Sequence, residues 1–102
     1  MADLGIDEAT LADFCRRWKV RELAVFGSAL RDDFGPESDV DLLVTFQPEA
    51  RWGLFDHFRM ERELADMLGR EVDLLTRRSV ESSANWIRRR EILRTARTIY
   101  AA

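Results

Sequence analysis

Cysteine, histidine and long apolar runs are scarce in this sequence. Its 102 residues include one cysteine, Cys15, and one histidine, His57. A single cysteine cannot form an internal disulfide, and it suits a reducing compartment. No apolar stretch approaches the roughly 20 residues that cross a membrane, and residues 1–6 have neither the basic start nor the apolar stretch of a signal peptide. We therefore expect a cytoplasmic protein that does not engage a membrane.

Length and composition indicate one globular domain that spans residues 1–102. The hydrophobic fraction of 46% and the charged fraction of 34% are ordinary for a folded domain, and a chain of this size has room for one modest core. Acidic residues outnumber basic ones almost two to one up to residue 75, whereas residues 76–102 carry seven arginines and two glutamates. The acidic part favours cation binding over DNA binding. The basic part suits phosphates, an acidic partner or simply a solvated helix face.

Hydrophobic periodicity predicts helices that alternate with strands. The elements are a helix that begins after Asp7, a strand over residues 21–26, a short helix from Ser28 to about Asp33, a strand over 39–46, a helix over 54–68 with Gly69 as its cap, a strand over 71–75 and a helix over 85–99. This order predicts an α/β (α+β) fold, a small mixed sheet of about three strands flanked by helices.

Apolar stripes on the predicted helices mark the expected core. The first stripe consists of Leu11, Phe14, Cys15 and Trp18, the second of Leu54, Phe58, Met60, Leu64, Ala65 and Leu68, and the third of Trp86, Leu93, Ala96 and Tyr100. Its place in the first stripe makes Cys15 a small buried hydrophobe rather than a nucleophile. His57 has no partner motif, so we expect it on the helix surface and not as a ligand.

Two aspartates interrupt the otherwise apolar second strand. Asp39 and Asp41 are two positions apart, so their side chains point to the same face, with roughly 6 to 7 Å between their backbones. Acidic residues are rare in strands, and such a pair is costly unless a cation lies between its members. Asp73 offers a third carboxylate from another strand, and three carboxylates can hold two Mg2+ ions. An isolated Asp-x-Asp, however, more often caps a turn.

Gly27 and Ser28 end the first strand and open the predicted short helix. A glycine lets the backbone approach a ligand, and the free N–H groups of a helix start attract phosphate. Arg31 lies one turn later on the side of Ser28, within reach of a phosphate. Each feature has an ordinary alternative, because most Gly-Ser pairs are turns with a helix cap and Arg31 can equally be a surface arginine.

Taken together, these segments resemble the signature of the DNA polymerase beta-like nucleotidyltransferase superfamily. The resemblance rests on residues 26–31 (FGSALR), residues 37–44 (ESDVDLLV) and residues 71–75 (EVDLL), and it extends to the arginine-rich residues 85–100. Within that superfamily, the sequence is most similar to the minimal nucleotidyltransferase (MNT) proteins. The resemblance therefore covers nearly the whole chain, and it is carried by the combined motif rather than by any one part.

The resemblance implies a fold, an activity and roles for residues. The fold is the polymerase beta-like palm; Asp39 and Asp41 bind two Mg2+ ions, and Asp73 completes the metal site and helps to activate the acceptor hydroxyl. Gly27, Ser28 and Arg31 hold the triphosphate of ATP. Asp32 stands where the family commonly has glycine, and an extra acid beside bound phosphate would weaken nucleotide binding.

The resemblance also implies a partner. MNT proteins are often antitoxins that bind a helical HEPN toxin and adenylylate a tyrosine on it, which makes a hetero-oligomer with a HEPN protein the expected assembly. The arginines of residues 88–97, together with Trp86 and Tyr100, form the candidate docking surface, because arginine and aromatic residues often anchor interfaces. Two alternatives stay open: a weakly catalytic binding module that neutralises its partner by contact alone, and a transferase that acts on RNA or on a small molecule.

Overall fold

The described part of the chain forms four strands and four helices. A computed structural model describes residues 6–27 and 39–102. The elements are α1 (Glu8–Arg17), β1 (Val20–Phe26), β2 (Val40–Phe46), α2 (Leu54–Leu68), β3 (Val72–Thr76), α3 (Arg77–Glu81), α4 (Trp86–Thr95) and β4 (Arg97–Ala101). The predicted short helix from Ser28 to about Asp33 lies outside the described residues.

The strands form one mixed sheet in the order β3-β2-β1-β4. β1 is antiparallel to both β2 and β4, whereas β2 and β3 are parallel and are joined through α2. The predicted mixed sheet flanked by helices is therefore confirmed, with four strands instead of about three. Because β3 is an edge strand, β2 is its only strand neighbour in the described parts of the chain.

The C-terminal region contains a shorter helix than predicted, followed by a strand. Asn85 caps α4 as expected, since its side chain accepts a hydrogen bond from the Arg88 amide at 3.1 Å. The helix ends at Thr95, and residues 97–101 pair with β1. The prediction of one helix over 85–99 was wrong at this end, because Thr98, Ile99 and Tyr100 are β-branched or aromatic residues that suit a strand, and β1 has an edge for them to join.

One face of the sheet packs against α1 and α2. The first core consists of Leu11, Phe14, Cys15, Trp18, Val20, Leu23, Val25, Val40, Leu42, Val44, Met60, Leu64 and Leu74. The predicted stripe of α1 is confirmed, and Asp7 caps that helix by accepting a hydrogen bond from the Thr10 amide at 3.2 Å.

The bounds of α2 were predicted correctly, but part of its apolar stripe was not. Met60 and Leu64 are buried, whereas Leu54 is 69% exposed and Phe58 is 55% exposed. At about 100° per residue, Phe58 lies on the side of the helix opposite Met60. The pattern was misleading because α2 is also apolar on a surface that the sheet does not cover.

The opposite face of the sheet packs against α3 and α4. Its smaller core consists of Ala24, Phe26, Leu43, Val80 and Ile92, with Leu75, Leu93 and Ala96 packed against it. Among residues 6–27 and 39–102, no helix is long and apolar enough to cross a membrane.

Burial makes Cys15 unreactive, which is directly testable. Its side chain is fully buried, and desolvation raises the pKa of the thiol to about 12. Because the thiolate is the reactive species, we expect native protein at pH 8 to resist iodoacetamide, and protein in denaturant to react fully. Mass spectrometry of the alkylated protein measures both states; rapid modification of native protein would show that Cys15 is accessible.

Candidate active site

Asp39, Asp41 and Asp73 occupy one face of the sheet at one end. Val40 and Leu42 lie in the first core and Leu43 lies in the second, so Asp41 belongs to the face that carries α3 and α4. Asp39 directly precedes β2, two positions earlier on the same side. In β3, Leu74 belongs to the first core, which places Asp73 on the second face as well.

Strand register makes Asp41 and Asp73 direct neighbours. Asp41 pairs with Asp73 across the parallel strands and with Phe26, the last residue of β1, on its other side. Paired backbones in a sheet are about 4.8 Å apart, and both carboxylates project from the same face. Asp41 is half-buried, whereas Asp39 and Asp73 are exposed. The fold thus places two carboxylates side by side, next to the end of β1.

Gly27 packs directly against the carboxylate of Asp41. Its φ is 71°, a backbone conformation that L side chains rarely adopt. A Cβ at this position would lie 3.2 Å from Cγ and 3.5 Å from Cβ of Asp41, and it would overlap a carboxylate oxygen. Position 27 therefore requires glycine for two independent reasons, and the turn and the acid form one structural unit.

Two carboxylates meet the basic requirement of a magnesium ion. Mg2+ takes one or two protein carboxylates and completes its octahedron with water and substrate phosphates, so the donor pair of Asp41 and Asp73 fits. Within the described ranges, no three acidic, histidine or cysteine side chains are close enough together to hold a metal ion. The three aspartates therefore share one face of the sheet, but their three carboxylates do not converge on one point. Ser28, Arg31 and Asp32 lie outside the described residues.

Two residues of α2 contact the strand that carries Asp73, and the sequence did not reveal them. Glu61 accepts a hydrogen bond from the Leu74 amide at 2.8 Å, and Nε2 of His57 lies 2.7 Å from the Leu74 carbonyl oxygen. The His57 side chain is only 24% exposed, so the expectation of an ordinary surface residue was wrong. The one available signal was the four-residue spacing of His57 and Glu61, which places both on one side of the helix.

The candidate docking surface does not include Tyr100, which lies on the face of the sheet opposite α4. Trp86 is 57% exposed and Ile87 is 64% exposed at the start of α4. Tyr100 instead belongs to β4 and packs, half-buried, against the first core. Arg89 donates a hydrogen bond to the Ser83 carbonyl at 3.0 Å, so it supports the start of α4.

Known proteins share this sequence pattern and this fold. The protein adenylyltransferase MntA of Thermococcus cleftensis is 39% identical over 66 residues, which are 65% of this chain and 65% of that protein. The matched region thus spans just under two thirds of the relative. A solved structure of a candidate minimal nucleotidyltransferase is 33% identical, covers 86% of this chain and 84% of that one, and superposes with a TM-score of 0.65.

More distant structures share the fold. A chain in the structure of a toxin–antitoxin with AMP-PNP superposes with a TM-score of 0.70 at 17% identity, over 95% of this chain and 75% of that one. A chain in the complex of a tri-AMPylated Shewanella oneidensis HEPN toxin with an MNT antitoxin superposes with a TM-score of 0.61 at 16% identity, over 93% and 70% of the two chains. The family model described as nucleotidyltransferase domain matches residues 8–99. With the register of Asp41 and Asp73 beside Gly27, that match establishes that the chain belongs to the nucleotidyltransferase domain family.

Proposed function

We propose that this protein transfers AMP from ATP to a tyrosine hydroxyl of a partner HEPN toxin and thereby acts as an antitoxin. The observation that carries the proposal is the register pair of Asp41 and Asp73, packed beside Gly27, in a nucleotidyltransferase domain. The name of the Thermococcus cleftensis relative supports a protein acceptor. The AMPylated HEPN toxin in the Shewanella oneidensis complex supports this kind of partner.

In this proposal, Asp41 and Asp73, together with Asp39 on the same face, would hold two Mg2+ ions, and binding would have to draw the three carboxylates together. The ions would supply charge neutralisation at the phosphates and at the attacking and leaving oxygens. The strand register that makes Asp41 and Asp73 neighbours supports this role, and Asp39 lies two residues before Asp41 on the same face. The backbone of the turn at Gly27 and Ser28, with Arg31, would hold the triphosphate, since free N–H groups and a guanidinium favour anions.

The proposed reaction is an in-line displacement at the α-phosphorus of ATP. The acceptor hydroxyl oxygen forms a bond to that phosphorus, while the bond from the phosphorus to the oxygen that bridges to the β-phosphate breaks. Pyrophosphate leaves with the bonding electron pair, and the Asp73 carboxylate accepts the hydroxyl proton. Positioning of the attacking oxygen supplies much of the rate in such reactions.

The exposed apolar residues of α2 support a protein partner. Leu54, Phe55 and Phe58 are 69%, 84% and 55% exposed within two turns of one helix. Contiguous apolar surface of this kind is uncommon in proteins that act alone and typical of interaction sites. The partner would present the acceptor hydroxyl to Asp73, which is itself exposed to solvent.

Radiolabel transfer tests the proposal. We expect α-labelled ATP and Mg2+ to label a HEPN partner in the presence of this protein, with little label on any protein in the partner's absence, because the partner supplies the attacking oxygen. Phosphoamino-acid analysis of the labelled partner identifies the residue type. Tight complex formation without label would contradict the enzyme proposal and favour a binding module; label on RNA or on a small molecule would favour the third alternative.

Metal binding gives a second test that does not require a partner. We expect Mg2+ or Mn2+ to raise the melting temperature, because a cation relieves repulsion between the neighbouring carboxylates and binds only the folded state. The double variant Asp39→Asn/Asp41→Asn should lose that shift. Thermal denaturation with and without metal measures it, and an undiminished shift in the double variant would place the metal elsewhere.

A further inference from the structure

We propose that Glu61 and His57 are positioning residues that fix the Asp73 carboxylate for metal binding and transfer. This inference rests on the proposed function, and it assigns a task to two side chains outside the acid site. Neither residue is proposed to touch substrate or metal. Both act through the backbone of β3, which they hold from the side opposite β2.

The contacts are made to both backbone groups of one residue. The Leu74 amide donates to Oε2 of Glu61 at 2.8 Å, and the Leu74 carbonyl oxygen lies 2.7 Å from Nε2 of His57. A carbonyl oxygen can only accept, so Nε2 of His57 carries the proton. The amide that Glu61 holds belongs to the peptide bond between Asp73 and Leu74, so its nitrogen is two bonds from the Cα of Asp73. Glu61 and His57 together form a clamp on β3.

The clamp has a rigid base. Glu61 and His57 are one helical turn apart on α2, their side chains are both 24% exposed, and Nε2 of His57 lies 3.9 Å from the Glu61 carboxylate. Between them in the sequence, Met60 is buried in the first core, and Leu64 is buried there one turn further on. The buried side chains therefore fix the position of α2. The hydrogen bonds of Glu61 and His57 then hold β3 in place relative to that helix.

The edge strand β3 needs such support if the Asp73 carboxylate is to take part in the reaction. On the β2 side, register sets Asp73 beside Asp41, but β3 contains only five residues. A displacement of about 1 Å at a reacting group can cost roughly a hundredfold in rate. A charged acceptor and a ring N–H at the outer side of Leu74 oppose this displacement, because unpaired backbone groups would otherwise leave the edge free to shift.

The competing explanation is that Glu61 and His57 only stabilise the edge of the sheet. Matched variants distinguish this structural role from the positioning of Asp73. Glu61→Leu and His57→Leu remove the acceptor and the donor, whereas Glu61→Gln and His57→Gln retain a side-chain oxygen and an N–H at similar reach. Arg62→Leu serves as the control, because Arg62 is the neighbouring helix residue and its side chain is 82% exposed.

The measurements are kcat and KM for ATP with the HEPN partner, the Mn2+ dissociation constant of the protein, and hydrogen exchange of the Leu74 amide. We expect each leucine variant to lose about tenfold or more in kcat and in Mn2+ affinity, as is typical when residues that orient metal ligands are removed, and to exchange the Leu74 amide faster. The glutamine variants and Arg62→Leu should stay within about twofold of the parent protein.

Leucine variants that keep the parent kcat and Mn2+ affinity and have only a lower melting temperature would overturn the positioning role. Glu61 and His57 would then only stabilise β3 at the edge of the sheet. Should Glu61→Leu fail to fold, His57→Leu carries the same comparison. Failure of the proposed function looks different, since it would abolish transfer in the parent protein. Mn2+ affinity and Leu74 exchange would still decide the role of the clamp in that case.

Discussion

We expect Asp41→Asn to lower the rate of AMP transfer by at least about a thousandfold. Asparagine matches aspartate in size, so the packing against Gly27 survives, but the negative charge beside Asp73 is lost. Metal ions at a phosphoryl-transfer site contribute several kcal/mol of transition-state stabilisation. The neutral amide of asparagine binds Mg2+ more weakly than a carboxylate does, so most of that contribution is lost. The rate is measured as kcat for label transfer from α-labelled ATP to the partner.

Stability of the same variant separates a lost charge from a lost fold. We expect the melting temperature of Asp41→Asn without metal to stay near that of the parent protein, because asparagine keeps the size of aspartate and a hydrogen-bonding side chain. Glu49→Gln is the charge-matched control, because Glu49 is exposed and follows β2 at the other end of that strand. Transfer by Asp41→Asn within tenfold of the parent rate would exclude Asp41 from the metal site.

The sequence predicted the relative orientation of Asp39 and Asp41 better than the elements around them. Alternation along a strand has a period of two, so Asp39 and Asp41 had to share a face wherever that strand lay in the sheet. The same alternation put Asp73 on the opposite side from Leu74, and the parallel pairing of β2 with β3 then made Asp73 the neighbour of Asp41. Only the pairing register between β2 and β3 could not be predicted from the sequence.

Residues 97–101 and α2 show where sequence patterns were insufficient. The spacing of Leu93, Ala96 and Tyr100 fits a helix, yet residues 97–101 pair with the edge of β1 as β4. This is a tertiary preference that a local pattern does not encode. The clamp of His57 and Glu61 was missed for a similar reason. Its partner is a backbone group 13 residues or more along the chain, and backbone groups leave no mark in a sequence.

The second large effect is expected at Gly27, and Gly69 provides a matched comparison. Both glycines adopt a left-handed conformation, with φ of 71° and 68°. Alanine at either position therefore costs a similar backbone strain of about 1–2 kcal/mol. The surroundings differ, because a Cβ at position 27 would overlap the Asp41 carboxylate, whereas one at position 69 has nothing within 4 Å.

We therefore expect Gly27→Ala to lower the affinity for ATP with Mg2+ by about a hundredfold or more, since the new methyl group displaces the Asp41 carboxylate and the backbone at position 27. Gly69→Ala should lose only the stability that the backbone strain costs and should retain the parent affinity. Calorimetric titration with a non-hydrolysable ATP analogue measures the affinity, and urea denaturation measures the stability. Parent-like affinity in both variants would mean that Gly27 takes no part in nucleotide binding. A loss in both would trace the effect to backbone strain rather than to the contact between Gly27 and Asp41.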